Sequence, residues 1–145
     1  MVQLPEEALR LIQRRPIATL ATVDPESEPT VVPICFVHHN GRLYTPIDDK
    51  RKRVSWGRLK RLRNIEHNPR VSVLVEEYSK DWSQLAYVLF HGNAEALLPQ
   101  GPFAREHRVA IDLFHDKYAQ YRSSTIDRRP IIRVIPTRAT FWTAT

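Results

Sequence analysis

Along the chain the apolar positions change period several times, and each change marks an element. Residues 5–14 place Ala8, Leu11 and Ile12 on one helical face, with Pro5 at the start, Glu6 and Glu7 favourable to the helix dipole, and Pro16 as the stop. Three β-type runs follow: "IATLATV" (17–23), "PTVVPICFVHH" (29–39) and "RLYTPI" (42–47). Asn40-Gly41 joins the last two as a type I′ hairpin signal. Beyond residue 50 the spacing becomes helical, with Trp56, Leu59, Leu62 and Ile65 recurring every three residues until Asn68-Pro69 ends the run. "VSVLVEEY" (71–78) and the segment from Leu85 to Leu98 read as core strands, Gly92 marking a bulge or bend in the second. A helix is predicted over 102–121, where Phe103, His107, Ala110, Phe114, Tyr118 and Tyr121 share a face, and "IIRVIPTRATFW" closes the chain as a strand.

About six strands, opening as an antiparallel meander, and three helices inserted between strand groups predict a mainly β fold with helices. That is a small α+β barrel rather than a parallel sheet. A chain of 145 residues, 42% of them hydrophobic, supports one core, so residues 1–145 are expected to form a single domain. One cysteine, Cys35, excludes an internal disulfide and a cysteine zinc cluster. The N-terminal segment lacks the apolar core of a signal peptide, and runs such as "VVPICFV" are far shorter than a membrane span. The expected location is the cytoplasm.

Charge changes the picture most. "KRKRVSWGRLKRLR" (50–63) holds eight of the 22 Lys and Arg residues and no acid, so the rest of the chain carries 14 bases against 16 acids. Basicity this local points to one anionic site or edge. Four glycines, at 41, 57, 92 and 101, cannot write a Rossmann fingerprint or a P-loop, so side chains must do most of any anion binding.

Groups able to catalyse by themselves are not evident. His38 and His39 are neighbours on a strand and face apart; His107 and His115 lack an intervening ligand; no zinc spacing exists, so no metal is expected. His107 fits the edge of a core, and His91 a hydrogen-bonded strand histidine. There is no GxSxG, Cys35 lies in an apolar strand where an inert thiol is usual, and the pairs Asp48-Asp49 and Glu76-Glu77 fit solvated surface. The catalytic residues are therefore unknown. An anion site without a catalytic group suits an enzyme whose chemistry belongs to a cofactor.

The order "RRPIATLATVD", "PTVVPICFV", "GRLYTPIDDKRKR", "LRNIEHNPRVSVLVEEY", "DW", "YVLFHGNAEAL" resembles the flavin- and deazaflavin-binding split β-barrel family related to pyridoxamine 5'-phosphate oxidase, in particular its F420-dependent branch. The likeness runs from about residue 9 to 98 and more weakly through the last strand. It implies a split β-barrel of the FMN-binding type and a homodimer with two cofactor sites at the interface. By matching position, Val32, Pro33 and Ile34 would line the ring through backbone and apolar contact, and Thr45, Pro46 and Ile47 would lead to the phosphate. Lys50, Lys52 and Arg53 would grip that phosphate, with Arg58, Lys60 and Arg61 reaching more distant anionic groups. Two departures stand out: "DPESEP" lacks the glycine usual in the turn before the second strand, and "VSWG" divides the basic run.

The leading expectation is an oxidoreductase that uses coenzyme F420 to transfer a hydride to a small organic acceptor, eight cations being more than one phosphate needs. An FMN-binding oxidoreductase of the same fold is the close rival, and a non-catalytic F420 carrier would use the same residues. A nucleic-acid-binding module, with Trp56 stacking a base, is remote, because the basic excess is confined to one segment. The expected partners are thus a small-molecule substrate and a second copy of the chain, with no nucleic acid and no membrane.

Overall fold

The computed structural model describes residues 1–48 and 59–145. Lys50, Lys52, Arg53 and Arg58, together with the predicted helical position Trp56, lie outside the described residues. Among the latter the order is α1 (Glu6–Arg14), β1 (Ile17–Val23), β2 (Pro29–Cys35), β3 (Val37–His39), β4 (Arg42–Pro46), α2 (Lys60–His67), β5 (Arg70–Glu77), β6 (Ala86–Leu97), α3 (Ala104–Lys117) and β7 (Ile131–Thr143). The strands form one seven-stranded sheet in the order β2-β1-β5-β6-β7-β4-β3, every neighbouring pair antiparallel. Seven strands replace the expected six because the run 29–39 is two strands divided at Phe36.

That division closes the fold. β2 and β3 are the two edges of the sheet, yet one residue separates them along the chain. One residue spans only about 3.8 Å between α-carbons, so the sheet must curl until its edges approach each other, which makes it a barrel split between β2 and β3. Phe36 is fully buried at this corner. The Tyr118 hydroxyl accepts a hydrogen bond from Phe36 N–H at 3.0 Å and stands 2.7 Å from the Pro16 carbonyl and 2.9 Å from that of Phe36, one of which takes its single proton. Lys117 Nζ donates to the Phe36 carbonyl at 2.9 Å and lies 3.8 Å above the Phe36 ring.

Local chemistry explains the turns. Asn40 and Gly41 have φ of 50° and 75°, the left-handed pair a type I′ turn needs, and Val37 pairs with Tyr44 across it. In the glycine-free turn, Ser27 takes φ of 67° while Asp24 Oδ1 accepts hydrogen bonds from the amides of Glu26 and Glu28, both 2.9 Å. An Asx-type contact thus replaces the usual glycine. Full pairing from Ile17↔Cys35 to Val23↔Pro29 shows the register intact beyond it. Gly92 sits where the β6–β7 register shifts, and a Cβ there would meet the Ile135 carbonyl oxygen at 2.4 Å.

Inside the barrel, Leu20, Val73, Val88, Phe90 and Ile132 pack together, closed by Leu11 and Ile12 of α1 and Leu62 and Ile65 of α2. A second cluster under α3 gathers Leu97, Phe114, Tyr118, Tyr121, Ile126 and Ile131. The predicted helix 102–121 ends at Lys117; Ala119–Ser123 continue as a 3-10 turn that keeps Tyr121 buried. Glu106 fixes α3 to the sheet by accepting from Tyr44 Oη (2.6 Å), Arg42 Nη1 (2.9 Å) and Arg133 Nη1 (2.7 Å), while Arg133 Nη2 pairs with Glu95 (2.7 Å). Burial works against ionisation of Glu106, but the donated hydrogen bonds and the Arg133 charge hold its carboxyl below the usual range.

Candidate functional site

Strand pleating separates the residues expected along the ring. In β2 the side chains alternate, so Pro33 is exposed on the outer face opposite Thr19, while Ile34 enters the barrel core and Val32 packs against it. Of the three, Pro33 alone presents a side chain outward. Val32 and Ile34 have only backbone to offer a ligand on that face, along a strand whose other edge carries no ladder partner among the described residues. Thr45, Pro46 and Ile47 are all buried, Ile47 completely. In the sequence they lead directly to Asp48 and the basic stretch.

Lys60 and Arg61 are adjacent in sequence but diverge in space, because successive helix residues are turned by about 100°. Lys60 is exposed and lines a groove with Asp24, Pro25, Glu26, Arg63 and His67, beside the β1–β2 turn. Arg61 points the other way. The sequence assigned it to a solvent-exposed distant group, but it is only partly exposed, and its Nε is buried with no hydrogen-bond partner among the described residues. Burial lowers its guanidinium below the ordinary value, opposed by the nearby charges of Asp48 and Tyr121. Tyr121 in turn donates to Asp48 Oδ2 at 3.3 Å. Arg61, Asp48 and Tyr121 thus form a half-buried polar corner where β4 hands the chain to the basic stretch. α2 is held against the barrel by Asn64 Nδ2, which donates to Thr22 Oγ1 at 2.9 Å with both residues buried.

Cys35 is free and half-buried rather than fully enclosed, and its sulfur lies near the Tyr121 hydroxyl and the Lys117 ammonium. Burial lowers Lys117 to about 8, the Cys35 sulfur acting the other way. Burial also lowers His38, with help from His39 and Lys117, and its ring stacks on Phe90 at 6.2 Å. His107 is buried with Nε2 at 2.7 Å from the Arg129 carbonyl, the core-edge placement expected. His91 pairs through Nδ1 with Ser72 Oγ at 2.9 Å, as a hydrogen-bonded strand histidine. Among the described residues no three His, Cys, Asp or Glu side chains gather as for a metal ion, and no helix is long and apolar enough to cross a membrane.

The outer sheet face has its own character. Ile17, Val31 (66% exposed), Pro33 and Trp142 lie on it, and the Trp142 ring contacts those of Tyr87 (5.8 Å) and Tyr78 (6.4 Å). Several exposed apolar side chains thus fall on one face of the sheet. The sequence pattern hid them, because each residue alternates singly with an inward one.

Known structures share this architecture. An FAD-binding protein from Mesorhizobium loti superposes with a TM-score of 0.71 at 17% identity, covering 96% of this chain and 94% of that one. A heme storage protein from Vibrio cholerae gives 0.73 at 20% identity over 97% and 94%. A conserved hypothetical protein from Mycobacterium tuberculosis gives 0.74 at 21% identity over 99% and 87%. At these identities the likeness shows the fold alone. No curated protein matches the chain in sequence. The pyridoxamine 5'-phosphate oxidase pattern matches residues 4–143, from before α1 to the last residue of β7. On that match, and with a seven-stranded split barrel to bear it, the chain belongs to the pyridoxamine 5'-phosphate oxidase family.

Proposed function

We propose that this protein is an oxidoreductase that binds a flavin of the FMN type as a homodimer and uses it to reduce or oxidise a small organic molecule. The observation that carries this reading is the family match along nearly the whole chain, with an FAD-binding protein among the structures of the same fold. The residues fit such a cofactor. Pro33 gives an apolar, donor-free contact on an edge strand for a flat ring, and Arg61, whose Nε has no hydrogen-bond partner among the described residues, holds a positive charge beside Asp48 that a phosphate would use. A bound flavin supplies hydride chemistry. The chain supplies position and charge: β2 sets the plane of the ring, Arg61 and the cations of residues 50–63 neutralise the phosphate, and the apolar part of the outer face around Ile17, Pro33 and Trp142 excludes water when a second copy covers it.

One observation favours the deazaflavin coenzyme F420 as a second reading. The eight cations of residues 50–63 exceed what one phosphate requires, and an oligoglutamate tail would use them. Parallel fluorescence titrations with FMN and coenzyme F420 decide between the two. Tighter FMN binding is expected; tighter F420 binding moves the protein to the deazaflavin branch, and binding of neither removes the redox reading. Anaerobic mixing of the reduced complex with candidate acceptors then separates an enzyme from a carrier. Arg61→Ala should weaken FMN about tenfold to a hundredfold, the worth of one partly buried charge-assisted hydrogen bond. Light scattering tests the dimer, and a single species near the 16.9 kDa of one chain would end the shared-site arrangement.

A further inference from the structure

One cleft on the outer face is used by none of these residues. It has a volume of about 280 Å³ and is lined by Ala21, Arg70, Ser72, His91, Asn93 and Arg138 among others. Its floor is a single cross-strand row, in which Ala21 faces Ser72, Ser72 faces His91 and His91 faces Arg138. Arg70, one pleat along β5 from Ser72, shares the face and pairs with Asn93. Ser72 Oγ and His91 Nδ1 are 2.9 Å apart, which fixes the imidazole, and Nε2 has no hydrogen-bond partner among the described residues. Neither the Arg70 nor the Arg138 guanidinium makes an ion pair or hydrogen bond to a described residue, whereas Arg14, Arg15, Arg42 and Arg133 each meet a carboxylate.

The bulge at Gly92 creates this grouping. Gly92 pairs with Pro136, but His91 pairs with Arg138, so Thr137 is the extra residue of β7. Without the bulge a regular register would set Thr137 opposite His91 and turn Arg138 to the barrel interior, since a one-residue slip exchanges the two faces. Thr137 instead donates its hydroxyl to the His91 carbonyl at 3.2 Å. Gly92 permits the close approach, because any Cβ there would strike the Ile135 carbonyl. The irregularity thus brings a second guanidinium beside a serine–histidine pair.

We propose that this cleft binds a phosphate monoester group, held by Arg70 and Arg138 with the Ser72–His91 pair completing the donor set. A planar carboxylate is satisfied by one guanidinium fork. Donors spread over β5, β6 and β7 suit the several oxygens of a tetrahedral dianion better. The assignment does not rest on the flavin reading: phosphate binding without flavin binding leaves it standing and removes the other.

The test is a titration of the whole protein with inorganic phosphate and with methyl phosphate at fixed low salt, followed by the His91 ring resonances in 1H–15N NMR. Saturable shifts are expected with both, and Arg138→Ala should weaken binding about tenfold or more, as loss of one charge-assisted contact. Arg70→Ala should act likewise, whereas Arg105→Ala on α3 leaves the curve unchanged. Both cleft arginines are exposed, so the variants should keep the wild-type thermal midpoint, and Arg138→Lys should recover part of the affinity. FMN and riboflavin, one ring with and without the phosphate, identify the source. If only FMN shifts His91 and displaces methyl phosphate, the group is the cofactor's own; if neither flavin competes, it belongs to a second ligand. The proposal is overturned if His91 shows no saturable shift with either phosphate, or if the Arg70→Ala and Arg138→Ala curves overlay the wild type.

Discussion

The two faces of the same strands have opposite properties. Along β6, Val88 and Phe90 point into the barrel and are buried, while Tyr87, Leu89 and His91, which alternate with them, are half-exposed on the outside. β5 repeats this with Val71, Val73 and Val75 inside and Ser72, Leu74 and Glu76 outside. The inner set is all aliphatic or aromatic, as close packing demands, whereas the outer set mixes a serine, a histidine, an acid and apolar groups. One backbone thus carries two jobs, because side chains a single residue apart never meet. Stability should reside on the inner face and ligand or partner binding on the outer.

Substitution inside β6 tests this most severely. Phe90→Ala should cost about 3–5 kcal/mol, the range for a fully buried aromatic, while Leu89→Ala next to it should cost about 1 kcal/mol or less. Urea denaturation of the pair checks this; similar losses would mean that the outer face is as firmly packed as the inner. Next is the corner joining the sheet edges. Tyr118→Phe leaves the buried Phe36 N–H without its acceptor and should cost about 1–3 kcal/mol, read as a lower thermal midpoint. At the bulge, Gly92→Ala should cost about 1–3 kcal/mol, since Cβ would sit 2.4 Å from the Ile135 oxygen. It should also weaken phosphate binding at His91 if it reverts the register.

A smaller effect follows from charge at the corner. Lys117 titrates at about 8 in the folded chain against 10.5 when exposed, so between those values the unfolded state holds more protons and stability rises with pH. Tyr44 and Tyr118, raised to about 12 from 10, keep their protons in the folded state while the unfolded chain loses them, so stability falls above pH 10. Denaturation midpoints should therefore climb from pH 8 toward 10 and then drop, and Lys117→Met should flatten the climb. A wild-type midpoint that declines from pH 8 upward contradicts the buried ammonium. Smallest is Ser27→Gly, which relieves the positive φ of 67° and should stabilise by at most about 1 kcal/mol, net of the extra freedom of unfolded glycine. A destabilised variant would show that the Asp24 turn fully offsets the strain.

Much of this architecture is legible along the chain. Pro5 and Pro16 bracket α1, "IATLATV" is β1 residue for residue, and Asn40-Gly41 makes the expected turn. These features arise from neighbours within a few residues, where proline, glycine and alternation act directly. The break at Phe36 does not show in "PTVVPICFVHH", because the groups that bend it there, Lys117 and Tyr118, are 81 and 82 residues away. Nor does the bond of Glu106 to Arg42, Tyr44 and Arg133 appear in any local pattern, since three separate elements must meet to form it.

By itself, the sequence determined that this chain makes short antiparallel strands with helices between them and gathers its positive charge after β4, because periodicity and composition are local quantities. Only the tertiary structure decided which charges share a site. Helical rotation parts Lys60 from Arg61, curling of the sheet lays Asp48 and Tyr121 beside Arg61, and one extra residue in β7 turns Arg138 outward to meet Ser72 and His91. Each of those outcomes depends on the angle or register at which distant segments pack, and no neighbouring residue encodes it.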